Sequence, residues 1–206
     1  MPKILRPPAR PDVELADATL VGESYGRLIR YRLRHRLFDG GWSEEMSRDC
    51  FDSGPAVILL PYNPTSDEVV LIRQFRTGPW AAGAEPWTLE CVAGRLDKDG
   101  KSAKDIATAE AREEAGLTVL ALEPIPGFFT SPGIFAEHLS AFCGRIEETS
   151  AGIHGLAGEH EDIRAETYKA PRAIELALQG AITAGPSLVC LFWLALNRDR
   201  LRALWR

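Results

Sequence analysis

Several features are scarce in this 206-residue chain, and each scarcity removes a class of protein. Four cysteines, Cys50, Cys91, Cys143 and Cys190, stand singly with no C-x-x-C pair, which argues against a zinc site and against a disulfide framework. Reduced, mostly buried thiols are expected. No apolar run approaches the ~20 residues needed to span a bilayer. The best candidate, 188–196, is soon followed by Arg198, Asp199 and Arg200. The opening MPKILRPPARPDVEL has no apolar core of the length a secretory signal requires, and its prolines read as an extended arm. A cytoplasmic protein with no membrane partner is therefore expected. Charge of one sign is nowhere concentrated: 24 Lys and Arg alternate with 29 Asp and Glu, for a net charge of −5, so there is no footprint for a nucleic-acid backbone. An anionic ligand would have to be met by a few placed arginines and by metal ions.

What is present is the makeup of a globular protein able to bury a core, with 45% hydrophobic and 26% charged residues. Strands are expected at 13–21, 28–38 and 42–51, with Asp39-Gly40-Gly41 turning the second into the third. Further strands are read at 56–62, 68–75 and 87–92, the last ending at Ala93-Gly94. Ser102 is a good N-cap for a helix over 103–115 that stops at Gly116. Strand-like runs follow at 117–122, 127–129 and 137–145, then a long loop over 147–162, a strand at 164–169, and helices at 171–179 and 187–204. The order gives an α+β or α/β class with mostly antiparallel strands.

The chemistry is concentrated on the first helix. At about 100° per residue, Glu110, Glu113 and Glu114 share one face, and Ala107 and Ala111 leave room beside them. Like charges so close are tolerable when a divalent cation neutralises them. An isolated E-x-x-E-E is more often a solvated acidic stripe, so its surroundings decide. Those surroundings, GRLDKDGKSAKDIATAEAREEAGL over 94–117, resemble the Nudix box, G-x5-E-x7-R-E-U-x-E-E-x-G-U with U apolar. Glu110, Ala111, Glu113, Glu114, Gly116 and Leu117 match it. The loop after Gly94 is one residue longer, Lys101 stands where the family has Glu, and Ala109 where it has Arg.

The resemblance extends over roughly 13–205 to the bacterial ADP-ribose pyrophosphatases, through RHRLFDG (34–40), DEVVLIRQFR (67–76), EPWTLECVAG (85–94), GIHGLAGEHEDIR (152–164) and SLVCLFWLAL (187–196). It implies the Nudix fold, an α/β/α sandwich of mixed, largely antiparallel sheets between helices. An N-terminal β-meander at 1–52 would serve dimerisation or strand exchange, and 53–206 would be the hydrolase domain. It also implies magnesium-dependent, or manganese-dependent, hydrolysis of ADP-ribose to AMP and ribose 5-phosphate by a homodimer.

Residue by residue, the resemblance assigns metal binding to Glu110, Glu114, Glu161 and the carbonyl of Ala93. Glu113 becomes a ligand or supporting carboxylate and Glu159 the general base. Arg76 corresponds to a phosphate-binding arginine. Tyr25 and Arg48 correspond to residues that sandwich adenine, one from each subunit. Pro132, about fifteen residues past the box, corresponds to a marker of ADP-ribose specificity, with Glu137 beyond it. Between these two, Ile134-Phe135-Ala136 replace the small residues of the family. That departure keeps open another nucleoside-diphosphate sugar such as ADP-glucose or GDP-mannose, and the atypical box at Lys101 and Ala109 keeps open a protein that binds ADP-ribose without cleaving it.

Overall fold

In the computed structural model, residues 7–96, 100–156, 158 and 161–205 are described. The chain forms two compact units, one of Met1–Pro55 with Phe129–His138, the other of Ala56–Phe128 with Leu139–Arg206.

The first unit is built on an antiparallel meander of β1 (Val13–Glu23), β2 (Arg27–His35) and β3 (Met46–Asp52). The third strand starts later than the sequence predicts. The connection at Asp39-Gly40-Gly41 is a wider loop, closed by the Leu37 N–H on the Gly41 carbonyl (2.8 Å), and the β2–β3 register resumes only at Leu33 opposite Met46. Trp42 sits in that interval under two guanidinium groups, Arg34 at 5.1 Å and Arg36 at 4.3 Å.

The second unit is a mixed sheet with helices on both faces. β4 (Ala56–Asn63) and β5 (Glu68–Phe75) lie at its centre, followed by α1 (Thr77–Ala81), β6 (Trp87–Glu90), β7 (Val92–Arg95) and α2 (Ala103–Ala115). β8 (Ala121–Phe129), β9 (His138–Arg145), β10 (Gly152–His154), β11 (Ile163–Lys169), α3 (Ala170–Leu178) and α4 (Gly185–Leu204) complete the chain. The sheet runs β10-β11-β5-β4-β9-β8, with β4 and β9 parallel. β4 alternates faces as a strand buried on both sides must. Ile58, Leu60 and Tyr62 join the cluster under α3 and α4, while Val57 and Leu59 join the one under α2.

The predicted strand over 87–92 is two strands. β4 and β5 pair directly only at Tyr62–Val69 and Asn63–Glu68, then part, and β6 fills the wedge against β5 while β7 fills it against β4. The break falls at Cys91, whose N–H is taken by the Ser187 hydroxyl of α4 (2.8 Å) instead of by a neighbouring strand. The strand expected from 117 begins at Ala121, because Leu117 is used to close α2 and is buried there. β8 contains Pro124 and Pro126 and lies at the sheet edge, where a missing N–H is tolerated. The long loop at 147–162 contains β10, paired with β11. Cys91, Cys143 and Cys190 are buried thiols and Cys50 a half-buried one. Among the described residues, no helix is long and apolar enough to cross a membrane.

Candidate active site

The helix that carries the glutamates is closed at both ends by its own sequence. Ser102 and Asp105 exchange hydrogen bonds, the Asp105 N–H on Ser102 Oγ (3.2 Å) and the Ser102 N–H on Asp105 Oδ2 (2.9 Å). Gly116 ends it in the left-handed region (φ 65°), with the Leu117 N–H returning to the Ala111 carbonyl (3.0 Å). Ala107, Ala111 and Ala115, each fully buried, bring the helix close onto the sheet. A methyl at each of these contacts, in place of a larger side chain, lets the carboxylates on the adjoining face reach β7.

Glu114 is the consequence. Only 4% exposed, it accepts the Ala93 N–H at 3.0 Å. Glu110 approaches the next residue, Gly94, so closely that a Cβ there would lie 2.4 Å from its side chain. Any side chain at 94 would therefore require Glu110 to move aside. Burial pushes the Glu114 carboxyl up to about 8; the Ala93 N–H and Arg76 pull it down, and the charges of Glu110 and Glu161 push it further up. Three carboxylates from two separate chain segments thus act on one another.

Glu161 is held by its own loop, its Oε2 accepting the Leu156 N–H (3.3 Å). Glu113 is half-buried on α2, and its backbone carbonyl accepts the Gly155 N–H (3.3 Å). Arg76 follows β5 directly, and its Nε and Nη2 donate to the Glu90 carboxylate at 2.7–3.2 Å, with the Arg76 side chain 43% exposed. Glu90 is buried and also accepts from the Thr88 hydroxyl. Sequence reasoning missed Glu90; its only signal was its place in EPWTLECVAG, two residues after a threonine on an otherwise apolar strand.

The donors here are hard oxygens, suited to magnesium or manganese, and a buried carboxylate facing two others is the electrostatic condition a cation relieves. Among the described residues, no group of three acidic, histidine or cysteine side chains is close enough to hold a metal ion. Glu159, expected as the general base, lies outside the described residues.

The other candidates belong to the first unit. Tyr25 is exposed between β1 and β2, and Arg48 is exposed on β3 opposite Tyr31. Pro132 and Glu137 lie in the segment Phe129–His138, where Glu137 accepts the Ser53 hydroxyl (3.2 Å). Ile134-Phe135-Ala136, which replace the small residues expected there, have a structural use. The Phe51 N–H donates to the Ile134 carbonyl (2.8 Å), the Ala136 N–H donates to the Phe51 carbonyl (2.9 Å), and Phe135 meets Phe51 edge-on at 5.6 Å.

No family model matches the chain. It is 41% identical over 195 residues to the ADP-ribose pyrophosphatase of Escherichia coli, covering 94% of this chain and 93% of that one. The chain belongs to the ADP-ribose pyrophosphatase family. A GDP-mannose pyrophosphatase of Salmonella arizonae is 33% identical over 189 residues, covering 90% of this chain and 96% of its own length. A crystal structure described as an ADP compounds hydrolase has the same fold, with a TM-score of 0.68 over 92% of this chain and 97% of that one, at 17% identity. For this member of the ADP-ribose pyrophosphatase family, the fold of the second unit is that of mixed sheets flanked by helices, with α2 carrying the acidic face.

Proposed function

We propose that this protein is a Nudix hydrolase that cleaves the diphosphate bond of ADP-ribose, giving AMP and ribose 5-phosphate, with Mg2+ or Mn2+ as its cation. The substrate reading rests on 41% identity over nearly the whole chain to an ADP-ribose pyrophosphatase. The metal reading is supported by Glu114, buried and acted on by the charges of Glu110 and Glu161. Glu110, Glu114, Glu161 and the Ala93 carbonyl would hold the cation, with Glu113 ligating or supporting them, and the carboxylates would have to draw closer around it than they stand here. When bound, the cation neutralises charge on the phosphate oxygens and lowers the pKa of water.

The chain's own residues divide the remaining work. Arg76, held along one side by Glu90, presents its guanidinium to the diphosphate oxygens, a geometry suited to two parallel hydrogen bonds. Glu159 would accept the proton of the attacking water, a role that comes from the resemblance of GEHEDIR (158–164) to the family's acidic loop. Glu114, whose carboxyl burial raises, would be held ionised once the cation balances its charge. Tyr25 and Arg48 would stack on adenine from the two subunits of a homodimer, and Pro132 and Glu137 would contribute to the preference for ADP-ribose. In this reading residues 1–52 form the dimerisation element and 53–206 the hydrolase domain. The thin burial of the N-terminal strands supports that division. Four free thiols support a reducing, cytoplasmic setting.

A second reading, cleavage of GDP-mannose or ADP-glucose, is favoured by the 33% identical GDP-mannose pyrophosphatase and by Ile134-Phe135-Ala136 beside Pro132. Purified protein with magnesium and a panel of ADP-ribose, ADP-glucose and GDP-mannose, followed by product analysis, separates the two. Faster turnover of a hexose sugar would overturn the first reading, and no turnover of any of them would overturn both. Full activity in Glu114→Gln would refute the metal assignment.

A further inference from the structure

The acidic loop is tied to the glutamate helix by contacts that the proposed chemistry does not use. The last carbonyls of a helix lack partners within it. In α2 the cap returns bonds to Ala111 and Arg112, and the Glu113 carbonyl instead accepts the Gly155 N–H (3.3 Å). One residue earlier, His154 lies over the bare Cα of Gly116, where a Cβ would sit 3.0 Å from Cε1 and 3.5 Å from Nδ1. The ring is steadied from behind, since His154 Nε2 lies 3.3 Å from Ser150 Oγ, and the Ser150 carbonyl accepts the Thr167 hydroxyl of β11 (2.7 Å).

The same turn sets Glu161. Gly155 has φ +99°, and a Cβ on it would lie 2.8 Å from Glu161 Cβ and 3.1 Å from the Glu161 carbonyl oxygen. Leu156 and Glu161 close the turn with bonds in both directions, the Leu156 N–H on Glu161 Oε2 (3.3 Å) and the Glu161 N–H on the Leu156 carbonyl (3.4 Å). Two glycines, one on each segment, therefore supply the clearance that brings the ring onto the helix end and Glu161 back onto the loop's first residues.

We infer that His154 and Gly155 are positioning residues that clamp the start of the acidic loop to the end of α2 and so fix Glu161 relative to Glu113 and Glu114. The inference rests on the reading of these carboxylates as the cation site. It adds that the site is aligned by a backbone bond and a ring contact that touch neither cation nor substrate.

The test uses Gly155→Ala, His154→Ala and His154→Gln in the full chain, read by Mn2+ affinity in calorimetry, amide exchange at residue 155, metal-free melting, and kcat and KM for ADP-ribose. Gly155→Ala should weaken Mn2+ binding about tenfold and lower kcat about tenfold or more with KM within about threefold, as losses of supporting contacts do at metal sites. His154→Ala should show a smaller effect in the same direction with faster exchange at residue 155, and His154→Gln should recover most of it. Unchanged Mn2+ affinity and kcat in folded variants whose exchange or melting has changed would overturn the inference, leaving the contact as a loop staple only. If Gly155→Ala does not fold, the two His154 variants decide on the same terms. If the wild-type protein turns over no ADP-ribose, the functional reading fails while Mn2+ affinity and exchange still decide the clamp.

Discussion

β1 and β4 are strands of one chain in opposite surroundings. All eight residues of β4 are buried, and none of the eleven of β1 is. In the first unit Ile29 is the one fully buried large apolar side chain among the described residues, and ion pairs cross the strands instead: Arg34 to Glu14 (2.6 Å), Arg30 to Asp49 (2.7 Å) and, better shielded, Arg27 to Asp52 (2.7 Å). Exposed pairs of this kind contribute little, because water and salt screen them and two long side chains must be held still. The second unit carries its stability in two apolar layers; the first holds its register by charge and needs a covering surface to gain more. That contrast supports the proposal that the first unit is a dimerisation element.

The contrast can be broken most directly in the core. Leu59→Ala removes a fully buried side chain from the layer under α2 and should cost about 2–5 kcal/mol in urea unfolding. A loss no greater than that of a surface substitution would mean the central sheet is not the stabilising region.

The next effect is one of pH. In metal-free protein the Glu114 carboxyl is raised from 4.5 to about 8, so the folded state holds its proton more tightly than the unfolded state. Its contribution is fully present below about pH 4.5 and is lost as pH rises through about 8. Stability should therefore decline across that window in the wild type and decline less in Glu114→Gln, measured by urea titration with a chelator present. Saturating Mn2+ should reverse the trend in the wild type only.

Within the first unit, Arg27→Ala removes the guanidinium from buried Asp52, whose carboxylate keeps the Gly54 N–H (3.0 Å), and should cost roughly 1–3 kcal/mol. The smallest effect is expected for Arg30→Ala, whose pair with Asp49 stands in solvent. Its melting curve should coincide with the wild type in molar salt, and a persistent difference there would show that the exposed pairs do more than set register.

Legibility followed the range of the forces involved. α2 was readable to the residue, 103–115, because the Ser102–Asp105 box, the alanine spacing and Gly116 are local signals. β5 was readable for the same reason, as an apolar run between turn residues. The break at Cys91 was not, since it depends on Ser187, ninety-six positions away in sequence. Nor was the short α1 after Arg76, which has no buried residue to give it a periodic signature. Of the candidate site, the three glutamates of the helix and Arg76 could be named from pattern. Glu90 could not, because a glutamate within an apolar strand reveals its purpose only when its partner is seen.

The linear chain thus contains, in one local motif, which residues bear the negative charge and on which face of α2 they stand, because helix geometry and capping act over a few residues. Only folding decides that Glu114 is buried against the Ala93 N–H, that Gly94 clears a path for Glu110, that Glu90 grips Arg76, and that Glu161 acts on the same carboxylate. Those facts join segments separated by tens of residues, and it is burial, which no single segment possesses, that turns a row of ordinary acids into a site with an altered charge state.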